Sequence, residues 1–123
     1  MTQGLILFAH GARDPRWALP FQAVADRVRT QRPGVEVRLA FLEFMAPSIA
    51  EAGDDLAAQG CTQVQVVPLF LGAGGHVRKD LPALLDALRT KHPATAFALH
   101  PAVGELDPVI DAMAAAAAAT LPA

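Results

Sequence analysis

The chain has 123 residues, of which 53% are hydrophobic and 18% are charged, and its formal net charge is -2. This length suits one domain, and the composition supplies a hydrophobic core and argues against disorder. The slightly acidic balance excludes a globally basic protein that coats nucleic acid. The sequence therefore predicts a single domain over residues 1–123 with no nucleic-acid partner.

The cysteine content and the apolar runs indicate the cellular location of the protein. One cysteine, Cys61, excludes an intramolecular disulfide and any CxxC motif, and its place before an apolar run indicates a structural thiol. The N-terminus carries no pattern of a secretion signal, and no apolar run reaches the ~20 residues that span a bilayer. We therefore expect a cytoplasmic protein with no membrane partner.

Apolar runs and helical periods predict the elements in chain order. Strands are expected over about 4–9, 35–42, 62–71 and 95–99. Helices are expected over about 17–32, from Pro47 to near Gly60, along Val77 to Leu88, and from Asp107-Pro108 through a run of alanines. The first strand is continuously apolar, as in a central parallel strand covered on both faces.

The order βαβαβαβα favours a parallel sheet with helices on both faces, because short connections and right-handed crossovers prevail. A flavodoxin-like strand order of 2-1-3-4 is the natural expectation. No linker and no internal repeat is visible.

Three chemically active side chains follow predicted strands. His10 leaves the first strand in LILFAHGARDP, Glu43 closes the second, and His76 follows the third after a glycine turn in VVPLFLGAGGHVRKD. The carboxyl ends of parallel strands share one edge, so we expect the three to converge there. Two imidazoles and a carboxylate suit a divalent Co, Ni, Fe or Zn ion with open coordination positions. The alternative is that each histidine is a hydrogen-bonded loop residue.

Glycines and basic residues surround the two histidines. The GAGGH turn lacks the lysine and hydroxyl of a P-loop, so Gly74 and Gly75 serve better to admit a flat ligand to the backbone than to cradle phosphate. Four basic side chains flank the histidines: Arg13, Arg16, Arg78 and Lys79. Such residues are ordinarily solvated surface charges, but clustered in an acidic protein they indicate a polyanionic substrate.

Other polar residues have simpler interpretations. His92 is expected to cap a helix end. His100 follows the fourth strand and is a further candidate for the predicted site at the sheet edge. Ser48 lies at a predicted helix start, and no G-x-S-x-G elbow supports a nucleophilic triad.

With these residues identified, the sequence resembles the small, single-domain sirohydrochlorin cobaltochelatase family, which belongs with the class II chelatases and is related to sirohydrochlorin ferrochelatase. The stretches that carry the resemblance are LILFAHGARDP, FLEFMAPSI and VVPLFLGAGGHVRKDLP. It implies a chelatase-like three-layer α/β fold, equivalent to half of a two-domain class II chelatase, and a homodimer that restores the cleft. It also implies insertion of Co(II), or in relatives Fe(II) or Ni(II), into sirohydrochlorin, with no organic cofactor.

The family pattern makes His10 and His76 the metal-binding histidines and Glu43 their acidic partner. Two departures stand out: Ala12 replaces a serine that is frequent in the family, and no histidine-rich or cysteine-bearing tail follows. A non-catalytic metal-binding protein or metallochaperone, and a flavodoxin-like module that binds ligand without metal, stay open as alternatives. The sequence leaves the physiological metal and the downstream pathway, cobalamin or siroheme, undecided.

Overall fold

The fold is known from a computed structural model that describes residues 2–72 and 74–123, the side chain of His76 excepted. Its elements are β1 (Thr2–Ala9), a 3-10 turn (Pro15–Ala18), α1 (Leu19–Gln31), β2 (Glu36–Phe41), α2 (Ile49–Ala58), β3 (Cys61–Pro68), α3 (Gly75–Lys91), β4 (Ala96–Leu99), a second 3-10 turn (Val103–Glu105) and α4 (Asp107–Ala118). The predicted alternation of strands and helices is confirmed. Among the helices of the described residues, none combines the length and the hydropathy that a bilayer-spanning segment requires.

The four strands form one parallel sheet in the order β2-β1-β3-β4, which confirms the predicted topology. Side chains of the central strand β1 alternate between the two faces. Ile6 and Phe8 join the core beneath α2 and α3, whereas Leu7 packs with Ala25 of α1 on the other face. Both carboxyl ends of the central pair, β1 and β3, therefore emerge from a covered core at the same edge.

Among the boundaries that differ from the prediction, two have a direct physical reason. β3 ends at Pro68 instead of 71, because proline has no N–H to continue the ladder. Helix α1 begins at Leu19 instead of Trp17, because a 3-10 turn precedes it, opened by the Asp14 carboxylate, which accepts a hydrogen bond from the Arg16 N–H. The Arg16 guanidinium holds the pKa of the Asp14 carboxyl below its usual value.

Two structural predictions are confirmed. Ser48 caps α2: its hydroxyl accepts from the Glu51 N–H at 3.1 Å, and the Glu51 carboxylate accepts from the Ser48 N–H at 2.9 Å, a reciprocal capping box. Cys61 is buried at the start of β3, and burial raises the pKa of its thiol, as suits a structural cysteine.

The two halves of the chain repeat one construction, so the expectation of no internal repeat is wrong. Four residues recur in the same order: Asp26, Arg29, Thr30 and Pro33 in the first half, and Asp86, Arg89, Thr90 and Pro93 in the second. Each arginine pairs with the aspartate one turn before it and donates to a carbonyl of the next strand, Arg29 to Val37 O at 2.9 Å and Arg89 to Phe97 O at 2.7 Å. The halves use opposite faces of the sheet, since Val37 packs with α1 and Phe97 with α3.

The last helix breaks this repeat. In the first half, α2 buries Ile49, Ala52 and Leu56 against the sheet. Its counterpart α4 buries no residue and packs with the second 3-10 turn, leaving Ile110 and Met113 exposed. An open groove of about 350 Å³ lies on the α1 face of the sheet, lined in part by Leu5, Gln65, Val67 and His100.

Candidate functional site

His10 is the first residue beyond β1 and is exposed at the carboxyl edge of the sheet. Its imidazole stacks on the ring of Phe70, with ring centroids 4.2 Å apart and an interplanar angle of 29°. Phe70 is itself buried and packs against Phe8, 5.8 Å away between centroids. The core thus holds one face of the imidazole while its nitrogens stay at the protein surface.

The segment containing Glu43 lies directly beside His10. The Glu43 N–H donates to the His10 carbonyl at 3.0 Å, and the Leu42 N–H donates to the Ala9 carbonyl at 2.9 Å. Gly11 permits this approach: its φ is 88°, and a Cβ there would collide with the carbonyl oxygen of Glu43. Within the described side chains, the exposed Glu43 carboxylate accepts no hydrogen bond and forms no ion pair. It is therefore available to a ligand.

His76, predicted to precede the third helix, lies in its first turn, because α3 begins at Gly75 with Gly74 as its N-cap. The side chain of His76 lies outside the described part of the structure, so its approach to His10 stays a prediction. Gly74 and Gly75 are exposed, and a Cβ at either would meet nothing within 4 Å. Open space beside this backbone is compatible with the predicted approach of a flat ligand.

The basic candidates separate into different environments. The Arg13 guanidinium lies over the ring of Phe44, 5.0 Å from its centroid, and within the described residues it forms no ion pair. Arg78 is paired with Glu105 at 3.0 Å, and Arg16 with Asp14 at 2.9 Å. Lys79 is exposed. Arg13 and Lys79 are thus the basic candidates that no described carboxylate neutralises.

The other two histidines have partners of their own. His92 is the C-cap of α3, as predicted, and its Nε2 hydrogen-bonds the Asp54 carboxylate of α2 at 2.6 Å. His100 donates or accepts at Gln65 of β3, with Nε2 and Oε1 2.6 Å apart. The first contact joins the end of α3 to α2 and the second joins the end of β4 to β3 at the surface, and among the described side chains neither ring contacts His10.

The described side chains do not contain a ready-made metal centre, since no three histidine, cysteine, aspartate or glutamate groups converge among them. His10 supplies an exposed imidazole and Glu43 an exposed carboxylate on adjoining segments. Such a pair suits a borderline divalent ion held with open positions better than a closed structural site.

The family model described as CbiX matches residues 4–120. The chain belongs to the CbiX family. Its curated relatives include proteins named sirohydrochlorin cobaltochelatase: one from Methanosarcina barkeri is 32% identical over 83 residues, which are 68% of this chain and 64% of the relative. Another, from Sulfurisphaera tokodaii, is 35% identical over 86 residues, 70% of each chain. The match spans less than two thirds of the length of the first relative.

Solved structures share the fold of this CbiX-family chain. A CbiX protein of cobalamin (vitamin B12) biosynthesis from Marinobacter aquaeolei VT8 superposes with a TM-score of 0.84 at 30% identity, over 96% of both chains. The sirohydrochlorin chelatase SirB from Bacillus subtilis subspecies spizizenii, in complex with cobalt, has a TM-score of 0.83 at 22% identity and is covered over 51% of its length. The chelatase-like α/β fold predicted from the sequence is therefore confirmed.

Two aromatic residues of the site were not predicted. The sequence places Phe70 in the third strand, but the strand ends at Pro68 and the Phe70 ring stacks on the imidazole of His10. Phe44 lies within FLEFM, a stretch that reads as an apolar strand end, yet its ring is exposed. A positive φ at Phe44 is a backbone property that residue type does not signal.

Proposed function

We propose that the protein inserts a divalent metal, Co(II), into sirohydrochlorin. The observation that carries this proposal is an exposed His10, stacked on a buried ring at the carboxyl end of the central strand, in a chain that belongs to the CbiX family. Relatives 30% or more identical are named sirohydrochlorin cobaltochelatase. A cytoplasmic location in cobalamin or siroheme biosynthesis is part of the proposal.

The reaction requires partial dehydration of the ion and loss of two pyrrole N–H protons. In the proposal, His10 and His76 hold the ion without adding charge, because neutral imidazole is a good ligand for such metals. Glu43, whose carboxylate has no described partner, accepts pyrrole protons or assists as a ligand. Arg13 and Lys79 pair with the carboxylates of the substrate, Arg78 does so by exchanging its ion pair with Glu105, and Gly74 and Gly75 admit the flat face of the substrate.

The test is metal insertion by the His10→Ala variant, with His92→Ala as the matched control. His10→Ala should weaken Co(II) binding and reduce insertion at least a hundredfold. Its stability should fall only by the loss of the contact with Phe70, because His10 is otherwise exposed. His92→Ala, which loses the Asp54 contact, should insert metal normally and unfold more easily. Wild-type insertion by His10→Ala would refute the assignment of the site.

The same assay decides between the remaining functions. Anaerobic initial rates with Co(II), Fe(II) and Ni(II), each corrected for the uncatalysed rate, identify a ferrochelatase or nickelochelatase. A protein that binds Co(II) tightly but leaves the absorbance of sirohydrochlorin unchanged is a metal-binding protein or metallochaperone instead.

We further propose a homodimer in which α4 of one copy covers the sheet of the other. One lobe of this size hardly encloses a tetrapyrrole, and the chain covers 51% of SirB, as expected for half of a two-lobed cleft. α4 buries no residue, and the groove lined by Gln65 and Val67 lies on the face where the counterpart of α2 belongs. The face of α4 corresponding to the buried face of α2 is apolar throughout: Val109, Ala112, Met113 and Ala116. Two-fold dimers are the commonest oligomers.

Disulfide cross-linking tests whether α4 of one copy covers the sheet of the other. Gln65→Cys is placed in one tagged copy and Ala112→Cys in another, and oxidation should link the two tags. Ala114→Cys, on the opposite side of α4, is the control and should not link. A disulfide formed within a single chain carrying both cysteines, at concentrations where light scattering gives a monomer, would show that α4 folds onto its own sheet and overturn the proposal.

A further inference from the structure

Phe44 differs from every other phenylalanine of the chain in its exposure. Its exposed fraction is 58%, whereas Phe8, Phe41, Phe70 and Phe97 are buried. An exposed aromatic ring loses the hydrophobic contribution that places such residues in cores. The ring therefore lies where another molecule can cover it.

The backbone at Phe44 is held in an unfavourable conformation. Its φ is 65°, a value that bulky residues rarely adopt. The Met45 N–H donates to the Glu43 carbonyl at 2.8 Å, which closes a γ-turn around Phe44. γ-Turns with positive φ are strained, and strain of this kind persists where the surrounding structure enforces it, most often at functional sites. Here the enforcing contacts come from the segment of His10, through the Glu43 N–H and Gly11.

The ring also has a cationic neighbour from the other loop of the site. The Arg13 guanidinium covers one face of Phe44 at 5.0 Å, and the 58% exposure of the residue leaves further ring surface open. The spacing that relates Arg29 to Arg89 makes Gly104 the counterpart of Phe44 in the second half of the chain. A Cβ at Gly104 would collide with the backbone of Leu71. An aromatic side chain is therefore present at Phe44, and the backbone of Leu71 leaves no room for one at the equivalent position in the second half.

We infer that Phe44 and Arg13 form a platform that binds the macrocycle of the substrate: the ring of Phe44 stacks on its flat face, and the Arg13 guanidinium pairs with one of its peripheral carboxylates. The inference rests on the proposed function for the identity of the macrocycle. Phe44 is a substrate-positioning residue, not a metal ligand. It fixes the orientation of the pyrrole nitrogens relative to an ion at His10, and it favours a planar polyanion over a nonplanar one.

The experiment measures binding of metal-free sirohydrochlorin, by absorbance and by quenching of Trp17 fluorescence, together with KM and kcat for Co(II) insertion. Phe44→Gly removes the ring while glycine adopts the positive φ without penalty, so the fold should be kept. Its Kd for sirohydrochlorin and its KM should rise about three- to tenfold, the range for one aromatic stacking contact, with Co(II) binding unchanged. Phe44→Tyr should restore wild-type values, and Val24→Ala, at another exposed apolar position, is the control.

Arg13→Gln completes the design. The Kd of this variant for sirohydrochlorin should also rise. The difference in Kd from wild type should shrink at high salt, because salt screens the exposed ion pair between Arg13 and the substrate carboxylate. If Phe44→Gly binds sirohydrochlorin as wild type does, the platform is refuted while the proposed function stands. If the wild-type protein neither binds nor metallates sirohydrochlorin, the proposed function itself fails. That failure is seen in the wild-type protein, so it is distinct from any result obtained with a Phe44 variant.

Discussion

Substitution of Gly11 by alanine should uncouple the two loops that form the site. Two effects combine at this position. A positive φ costs a residue with a Cβ about 1–2 kcal/mol. In addition, the new Cβ meets the Glu43 carbonyl, so the loops must separate and the hydrogen bond from Glu43 N–H to His10 O is lost, at about 1 kcal/mol. We therefore expect Gly11→Ala to lower the free energy of unfolding by about 2–3 kcal/mol.

Two other glycines separate these effects. Gly60 has a φ of 85° but nothing within 4 Å of a Cβ, so Gly60→Ala should cost only the conformational part, about 1–2 kcal/mol. Gly34 has neither a positive φ nor a close neighbour, and Gly34→Ala should change stability by less than about 0.5 kcal/mol.

Urea denaturation gives the free energy of unfolding of each of the three variants, and the rate of metal insertion is measured for each as well. Only Gly11→Ala should also reduce insertion, because only there does the strain reach His10 and Glu43. Equal destabilisation by Gly11→Ala and Gly60→Ala, with insertion intact in both, would refute the conclusion that contact with the Glu43 carbonyl holds the loops together.

Three further predictions concern single side chains. Glu43→Gln keeps the backbone contact with His10, so if the carboxylate accepts pyrrole protons, single-turnover insertion should fall by about 10²–10⁴ with a modest change in Co(II) affinity; equal losses of both would make Glu43 a ligand. Lys91 and then His92 lower the pKa of Asp54 from its ordinary 3.8, so this carboxylate stabilises the fold above that pH and loses its effect as the pH falls through the lowered pKa. Asp54→Asn should therefore be less stable than wild type in urea at pH 7 and equal to it at acid pH. Cys61, buried with a raised pKa, should react with a thiol reagent at pH 8 only after unfolding; rapid labelling of the native protein would contradict its structural role.

The sheet and one part of the site were predictable because their signals are local. A continuous apolar run that ends at His10 identifies a central strand and its carboxyl end together. The same logic places Glu43 beside His10, and the backbone hydrogen bond between them confirms it. Ser48 and Glu51 show a capping box at the spacing that the motif requires.

What could not be predicted depends on contacts between segments. The alanines of α4 favour a helix whether or not the helix packs, so residue type does not reveal that α4 buries nothing. The repeat escapes notice because few residues recur, while the geometry recurs through Arg29 and Arg89. The role of Phe70 depends on where β3 ends, and element boundaries are the least certain part of a sequence-based prediction.

The paired arginines also close the two edges of the sheet. Val37 O of β2 accepts from Arg29 at 2.9 Å and from Arg38 at 3.0 Å, and Phe97 O of β4 accepts from two nitrogens of Arg89, at 3.2 and 2.7 Å. A carbonyl oxygen has two lone pairs, so neither can accept a hydrogen bond from an incoming strand. At these two positions a strand added at the edge would have to displace an arginine, which disfavours strand-to-strand growth. We therefore expect a second copy to approach through helices and loops rather than by extending the four-stranded sheet at its edges.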